Sequence, residues 1–291
     1  MRYTAPARDA VDPQVFGRMP LAAWREHAGW IEGRDWPSVD ALNAARPAAM
    51  REHFVAQTRE LLTDGLHYEQ RIAERGEIAT RENNWHDLFN ALIWLRHPAL
   101  KRALNARQMA EIAHMGTKQR SRAQYALTHF DEAGVVVALR DPALLALWDA
   151  HDWHGLFWRE RDAWLDGRIQ VELFGHALLE HALTPGQLLV GKGLAVMTSV
   201  DTAGIPTSSR RKLGSSGCES TVRGTESMDA CTKAIREGSA LCDPLELRPL
   251  PLAGMPGWHP DNGWEAFCHE AACFRPVRAG RCYPAAIELK D

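Results

Sequence analysis

Apolar residues recur at helical spacing through much of the first half of the chain. The clearest stretch is NNWHDLFNALIWLRHP, residues 83–98, where Trp85, Leu88, Phe89 and Leu92 form one stripe. Asn83, His86, Asp87 and Asn90 form a second, polar stripe. Asn83 or Asn84 suits the N-cap. Pro98 ends the helix at His97, because proline disfavours helical geometry in the residue before it. Pro98 then opens a second helix, PALKRALNARQMAEIAHM, which Gly116 closes. Residues 47–62 carry Met50, Phe54, Val55 and Leu61 behind Pro47 and predict an earlier helix. HYEQRIAERGEIATRENN predicts short extended pieces and turns.

Further along, ALTHFDEAGVVVAL reads as a hairpin with Asp131-Glu132-Ala133-Gly134 at its tip. Asp141-Pro142 starts a helix to about Ala150, and a tryptophan-rich helix runs to about Leu165 with Trp153, Phe157 and Trp164 on one face. RIQVEL alternates like a strand. FGHALLEHAL is a short helix ended by Pro185-Gly186, and QLLVGKGLAVM a further strand. Strands and helices mix without a regular βαβ repeat, which predicts an α+β fold. It has a mainly helical N-terminal half, a small mixed or antiparallel sheet and an extended C-terminal arm. The main domain is expected over 1–197 and a flexible Ser/Thr/Gly-rich linker or loop over 198–230. The arm, over 231–291, is expected to pack on the main domain, because its stretch DPLELRPLPLAGMPGWHP is rich in proline and has too few apolar residues for a core of its own.

Composition changes this picture little. A net charge of −3 over 291 residues gives no global field for nucleic acid or anionic membranes. No apolar run is long enough to span a bilayer, and the start, MRYTAPARDAVDPQVFG, lacks a secretory h-region. A cytoplasmic location is therefore expected. The eleven tryptophans point to aromatic wedges in the core. All six cysteines follow position 217, and Cys268 and Cys273 with His259 and His269 are a poor match to close-paired zinc spacing. They are expected to be free thiols.

Several ordered blocks are similar to a known family. NNWHDLFNALIWLRHP, ALTHFDEAGVVVAL, ELFGHALLEHALTP with LLVGKGLAV, DPLELRPLPLAGMPGW and CFRP occur in one order. Together they resemble a bacterial family catalogued as domain of unknown function 3025, from about Trp36 to Arg278. The resemblance implies a single bacterial domain of its own kind. It carries over no activity and no catalytic residues.

The chemistry must come from the residues. Asn90 sits well inside a helix although asparagine is a poor helix former, so it has a tertiary role. His86 and Asp87 are sequence neighbours and do not face each other on a helix. His176 and His181 are five apart, about 140° around a helix, so they cannot share a zinc as H-E-x-x-H does. His176 and Glu180 do share a face. Gly186 to Lys192 fits G-x₄-G-K but lacks the Ser/Thr and the strand–loop–helix setting of a P-loop.

The expected site is a polar cleft formed by the 85–97 helix, the 131–134 turn and the 176–181 helix, acting on a small-molecule substrate. The reaction it suits is hydrolysis. His86 would be general base or ligand, with Asp87 or Asp131 as its carboxylate partner; His176 and Glu180 would form the second pair, and Asn90 a donor to an oxyanion. Cofactor and metal stay open. The alternative is a non-enzymatic module. It would bind nucleic acid or protein through Lys101, Arg102, Arg107, Lys118, Arg120 and Arg122, opposed only by Glu111.

Overall fold

A computed structural model describes residues 3–116, 119–198 and 217–289, with 217–224 as backbone alone. Short helical turns lead to α1 (Ala28–Ile31) and α2 (Val39–Ala44). β1 (His53–Ala56) pairs in parallel with β2 (Glu77–Thr80), and α3 (Tyr68–Arg75) connects them. Two expectations fail here: residues 53–56 are a strand, and residues 68–75 are a helix. Phe54 is buried by strand alternation, and Gly76, at φ 68°, ends α3 in the left-handed conformation that glycine takes without strain.

α4 (Trp85–Arg96) and α5 (Pro98–Met115) follow the predicted limits. The Asn84 side chain caps α4 by accepting from the Asp87 N–H at 3.1 Å. α6 (Arg122–Ala133) then runs directly into β3 (Gly134–Leu139), so the expected hairpin is a helix followed by a strand. Ser121 and Gln124 form a capping box that starts α6 and holds this segment helical. Asp131 and Glu132 therefore stand on its last turn, not on a hairpin tip.

α7 (Pro142–Asp149), a π-helical turn over Gly155–Arg159 and α8 (Arg161–Leu165) carry the tryptophan-rich segment, in which Phe157 stacks between Trp153 and Trp164. β4 (Ile169–Leu173), α9 (His176–His181) and β5 (Val190–Met197) fall where expected. The Gly186–Lys192 match ends inside β5, and no helix follows the lysine as a P-loop requires. Residues 199–216 of the expected linker lie outside the described residues, and α10 (Gly217–Glu237) makes its remainder helical.

The main sheet has the order β4-β3-β5-β6. β3 is antiparallel to β4 and parallel to β5. The C-terminal segment supplies β6 (Arg248–Pro251), then α11 (Phe267–Glu270), then β7 (Ile287–Glu288). β6 and β7 lie end to end along one edge of β5, pairing from Val190 to Gly193 and at Val196 to Met197. The all-apolar run of β3 is buried at every residue, as a strand covered on both faces requires. The class is α+β, with small mixed sheets. Among the described residues no helix is long and apolar enough to cross a membrane.

One junction positions the site. The N–H groups of Phe174 and Gly175 both donate to the Gly134 carbonyl, at 3.0 and 2.8 Å. This presses the start of α9 onto the end of α6. A Cβ on Gly175 would lie 2.4 Å from the Ala133 Cα, so only glycine fits.

Candidate functional site

A cavity of about 280 Å³ opens between α3, α4, α5, α6 and α9. α4 contributes His86, at its N-terminal turn. α9 contributes His176, and α6 contributes Asp131 and Glu132 from its last turn; Glu180 of α9 stands behind His86. His86 Nδ1 lies 2.9 Å from Glu180 Oε2. His86 Nε2 lies 3.0 Å from His176 Nε2. The second face of His176 looks at acid: Nδ1 is 3.9 Å from Asp131 Oδ2, while Nε2 is 3.6 Å from Glu132 Oε2.

These pairings differ from the expected ones. His86 takes its carboxylate from Glu180, not from Asp87 or Asp131, and His176 stands beside Asp131 and Glu132 instead of pairing with Glu180. Asp87 is already engaged. It accepts from the Arg81 backbone N–H at 2.6 Å and from both arms of the Arg81 guanidinium at 3.0 and 2.7 Å. It lines the cavity but serves the entry to α4.

Asn90 has its tertiary role. Its Nδ2 donates to the Tyr68 hydroxyl at 2.9 Å, and its Oδ1 accepts from Lys101 Nζ at 2.7 Å. One of its two amide N–H groups is thereby committed to the network. Lys101 and Tyr68 are further donors in the cavity wall. Lys101 is only 4% exposed, an extreme burial for a lysine. It is held by Asn90, by Asp131 Oδ1 at 2.7 Å, and by the rings of Trp94 and Phe174, whose centroids lie 5.5 and 5.9 Å away.

The environment separates the ionisable groups. The hydrogen bond that Glu180 accepts from His86 raises the histidine above its ordinary value against the effect of burial. Burial pushes His176 down to about 3. Burial works to raise Asp131, but the Lys101 ammonium together with the two histidines holds the carboxyl below its usual value. Burial raises Glu132 and also Glu69, which accepts from Asn105 at 2.6 Å at the inner end of the cavity. Burial keeps the Tyr68 hydroxyl protonated. At neutral pH this leaves an uncharged His176 beside carboxylates of both depressed and raised acidity, with one ammonium among them.

Sequence reasoning missed Lys101 and Tyr68 as members of this site, and gave Glu132 no role beyond its place beside Asp131 at the expected turn. Lys101 carried a signal, since it lies beside Leu100, Ala103 and Leu104, the apolar residues that this helix buries.

The basic residues after position 100 do not make one free face. Lys101 is buried in the cavity wall. Arg102 binds Glu52 at 2.8 Å, Arg107 lies 3.4 Å from Glu111, and Arg122 pairs with Asp243. Arg120 donates to Thr128 and sits over Tyr125. Lys118 lies outside the described residues. In the C-terminal segment Cys268 and Cys273 are free and buried; His269 stacks on His154, and His259 on Phe267. Among the described residues one trio, His86, Glu132 and His176, has the spacing to hold a metal ion.

A family model matches residues 52–278 and so spans every one of these cavity residues. The chain belongs to the DUF3025 family. DUF3025 members are described as proteins of unknown function, and the match brings no assigned activity with it. No curated protein and no solved structure matches this DUF3025 chain. Its chemistry is therefore argued from the cavity.

Proposed function

We propose that this cavity is the active site of a hydrolase acting on a small molecule in the bacterial cytosol. The observation that carries the reading is the convergence of His86 and His176 through their Nε2 atoms, 3.0 Å apart, at the wall of the cavity. Glu180 holds the Nδ1–H of His86, which turns the lone pair of His86 Nε2 toward that point. A water molecule in the cavity beside that pair gives a proton to His86 Nε2 as its oxygen adds to an electrophilic carbon or phosphorus; the bond to the leaving group then breaks, and the leaving group takes that proton from His86. Lys101 and the Tyr68 hydroxyl, on the far side, are the groups to stabilise the oxyanion that forms. Asn90 and Asp131 position Lys101.

Binding of nucleic acid or protein through the 101–122 segment has less support, because Lys101 is buried and Arg102, Arg107 and Arg122 are already paired with acids, which leaves Arg120 alone without one among the described candidates.

The test is a panel of chromogenic carboxylic esters, phosphoesters and amides. Turnover of at least one class is expected. It should fall by about 100-fold or more in His86→Asn and in Glu180→Gln, the loss typical of an acid–base group. Wild-type rates equal to those of a His86→Asn/His176→Asn double variant across the whole panel would reject the reading.

A further inference from the structure

The two histidines face each other in a way that neutral imidazoles alone do not explain. Glu180 takes the Nδ1–H of His86, so neutral His86 has a lone pair on Nε2. Suppose His176 donates its Nε2–H to that lone pair. Then His176 Nδ1 carries a lone pair, buried, without a hydrogen-bond partner, and 3.9 Å from the Asp131 carboxylate. Suppose instead that His176 carries its proton on Nδ1, toward Asp131. Then two Nε2 lone pairs confront each other at 3.0 Å. Each neutral arrangement leaves one repulsion in a low-dielectric setting.

A cation at the convergence point removes both. It takes the two Nε2 lone pairs and leaves each Nδ1–H directed at a carboxylate, Glu180 for His86 and Asp131 for His176. Outer carboxylates on the second ring nitrogen are the usual support of metal-bound histidine. A third donor is in place. Glu132 Oε2 lies 3.6 Å from His176 Nε2, and ligand atoms of all three residues fall within 4.8 Å of one another. Two donors on one tetrahedral zinc, each about 2.0–2.1 Å from it, stand about 3.4 Å apart, so only small shifts are needed. Local charge agrees: Asp131, Glu132 and Glu180 surround the point, against the single ammonium of Lys101.

We propose that His86 Nε2, His176 Nε2 and Glu132 bind a divalent transition-metal ion of the zinc type, with its fourth position open to the cavity. Two histidines and one carboxylate with an open position are the donor set of hydrolytic zinc centres. Such an ion lowers the pKa of a bound water to about 7, releasing a proton to solvent and leaving hydroxide beside the substrate. The inference deepens the hydrolase reading, but its test is metal binding and does not require a substrate.

The experiment uses the full chain, stripped with chelator, dialysed, and titrated with Zn²⁺ and with Co²⁺. Uptake of one ion per chain is expected by elemental analysis, with visible d–d absorption from Co²⁺ in a site of low coordination number. His86→Asn, His176→Asn and Glu132→Gln should each weaken binding by about 100-fold or more, and Glu180→Gln by about 10-fold as an outer partner. His181→Asn, on the same helix but stacked on Tyr3, should bind as wild type does. Glu132 is 43% exposed in its side chain, so its variant stays informative if a histidine variant fails to fold. A rival state puts a shared proton between the histidines; wild-type protein taking up less than a fifth of an ion per chain would establish it and overturn the metal site. So would undiminished binding by His176→Asn. The two readings fail separately. Stoichiometric, histidine-dependent uptake without hydrolysis would leave the metal site and remove the hydrolase. Hydrolysis that survives chelation in protein without uptake would do the reverse.

Discussion

Replacing Lys101 with methionine tests how the cavity is held together. Methionine keeps most of the stem volume and removes the ammonium. In the native protein that ammonium binds Asn90 and Asp131 at 2.7 Å each, and its side chain is 3% exposed against 25% for Asp131. Removing one partner of a buried ion pair costs about 3–5 kcal/mol, mostly from the charge left behind. Water reaches a quarter of Asp131, which places the expected loss at the low end, about 3 kcal/mol. The double variant Lys101→Met/Asp131→Asn leaves no uncompensated charge and should recover more than half of it. The pH dependence carries a sign. In the wild type Asp131 lies below its unfolded value, so the stability it lends is present above about pH 4 and is lost as pH falls through its folded value. Without Lys101 the largest influence left on the carboxyl is burial, which raises it, so the single variant's deficit should shrink as pH falls. The assay is urea unfolding followed by tryptophan fluorescence, comparing midpoints at constant slope. A loss below about 1 kcal/mol, or a double variant no better than the single one, would refute the account of a buried, structurally committed pair.

Three further outcomes follow from the same geometry. Asn90→Leu should destabilise by about 1–3 kcal/mol, because Lys101 and Tyr68 both lose a partner in a buried place; an unchanged melting temperature would show that the network is dispensable. Gly175→Ala should cost about 3 kcal/mol and displace His176, since its Cβ meets backbone rather than a movable side chain; a variant melting within a degree of wild type would refute the close approach. In chelator-treated protein the two histidines should bend the stability curve in opposite directions. His176 is depressed to about 3, so stability falls as pH drops from about 6.5, by up to about 1.4 kcal/mol per unit. His86 is raised, so what it lends is complete below about 6.5 and is lost as pH rises through its folded value. His176→Asn should flatten the acid side only, and His86→Asn the alkaline side only; a variant that leaves its own limb unchanged contradicts the assignment.

The parts of the fold legible in the chain are those specified locally. α5 shows its limits in Pro98 and Gly116, and α4 in Asn84 and the coming proline. α6 was misread because Asp131-Glu132-Ala133-Gly134 has the composition of a turn. The competing signal, Ser121 with Gln124, lay at the other end of the segment. Phe54 and Val55 fit a helical stripe as well as a strand, and only pairing with Ile78 and Ala79 decides between them. The site residues stood out for different reasons: His86 and Asn90 as polar groups at the start and in the interior of an apolar helix, His176 and Glu180 for sharing a helix face, and Asp131 as an acid at an expected turn. Their partnerships did not. Glu180 could have served His176 on its own helix, and which histidine it meets depends on how α9 packs against α4. The start of α9 is in turn pressed onto the end of α6 by the close approach of Gly175 to Ala133, which no local pattern encodes.

The edge of β5 has a consequence for synthesis. Every element that bears the cavity is complete by the time His181 has been made, and β5 follows shortly after. The strands that cover its outer edge come much later, at Arg248 and Ile287. Throughout that interval a growing chain carries an open strand of largely apolar sequence, the kind of surface that recruits another chain by strand addition. Yield in the cell should therefore depend on how fast the C-terminal segment emerges, and on holdase chaperones, more than the stability of the finished protein would suggest.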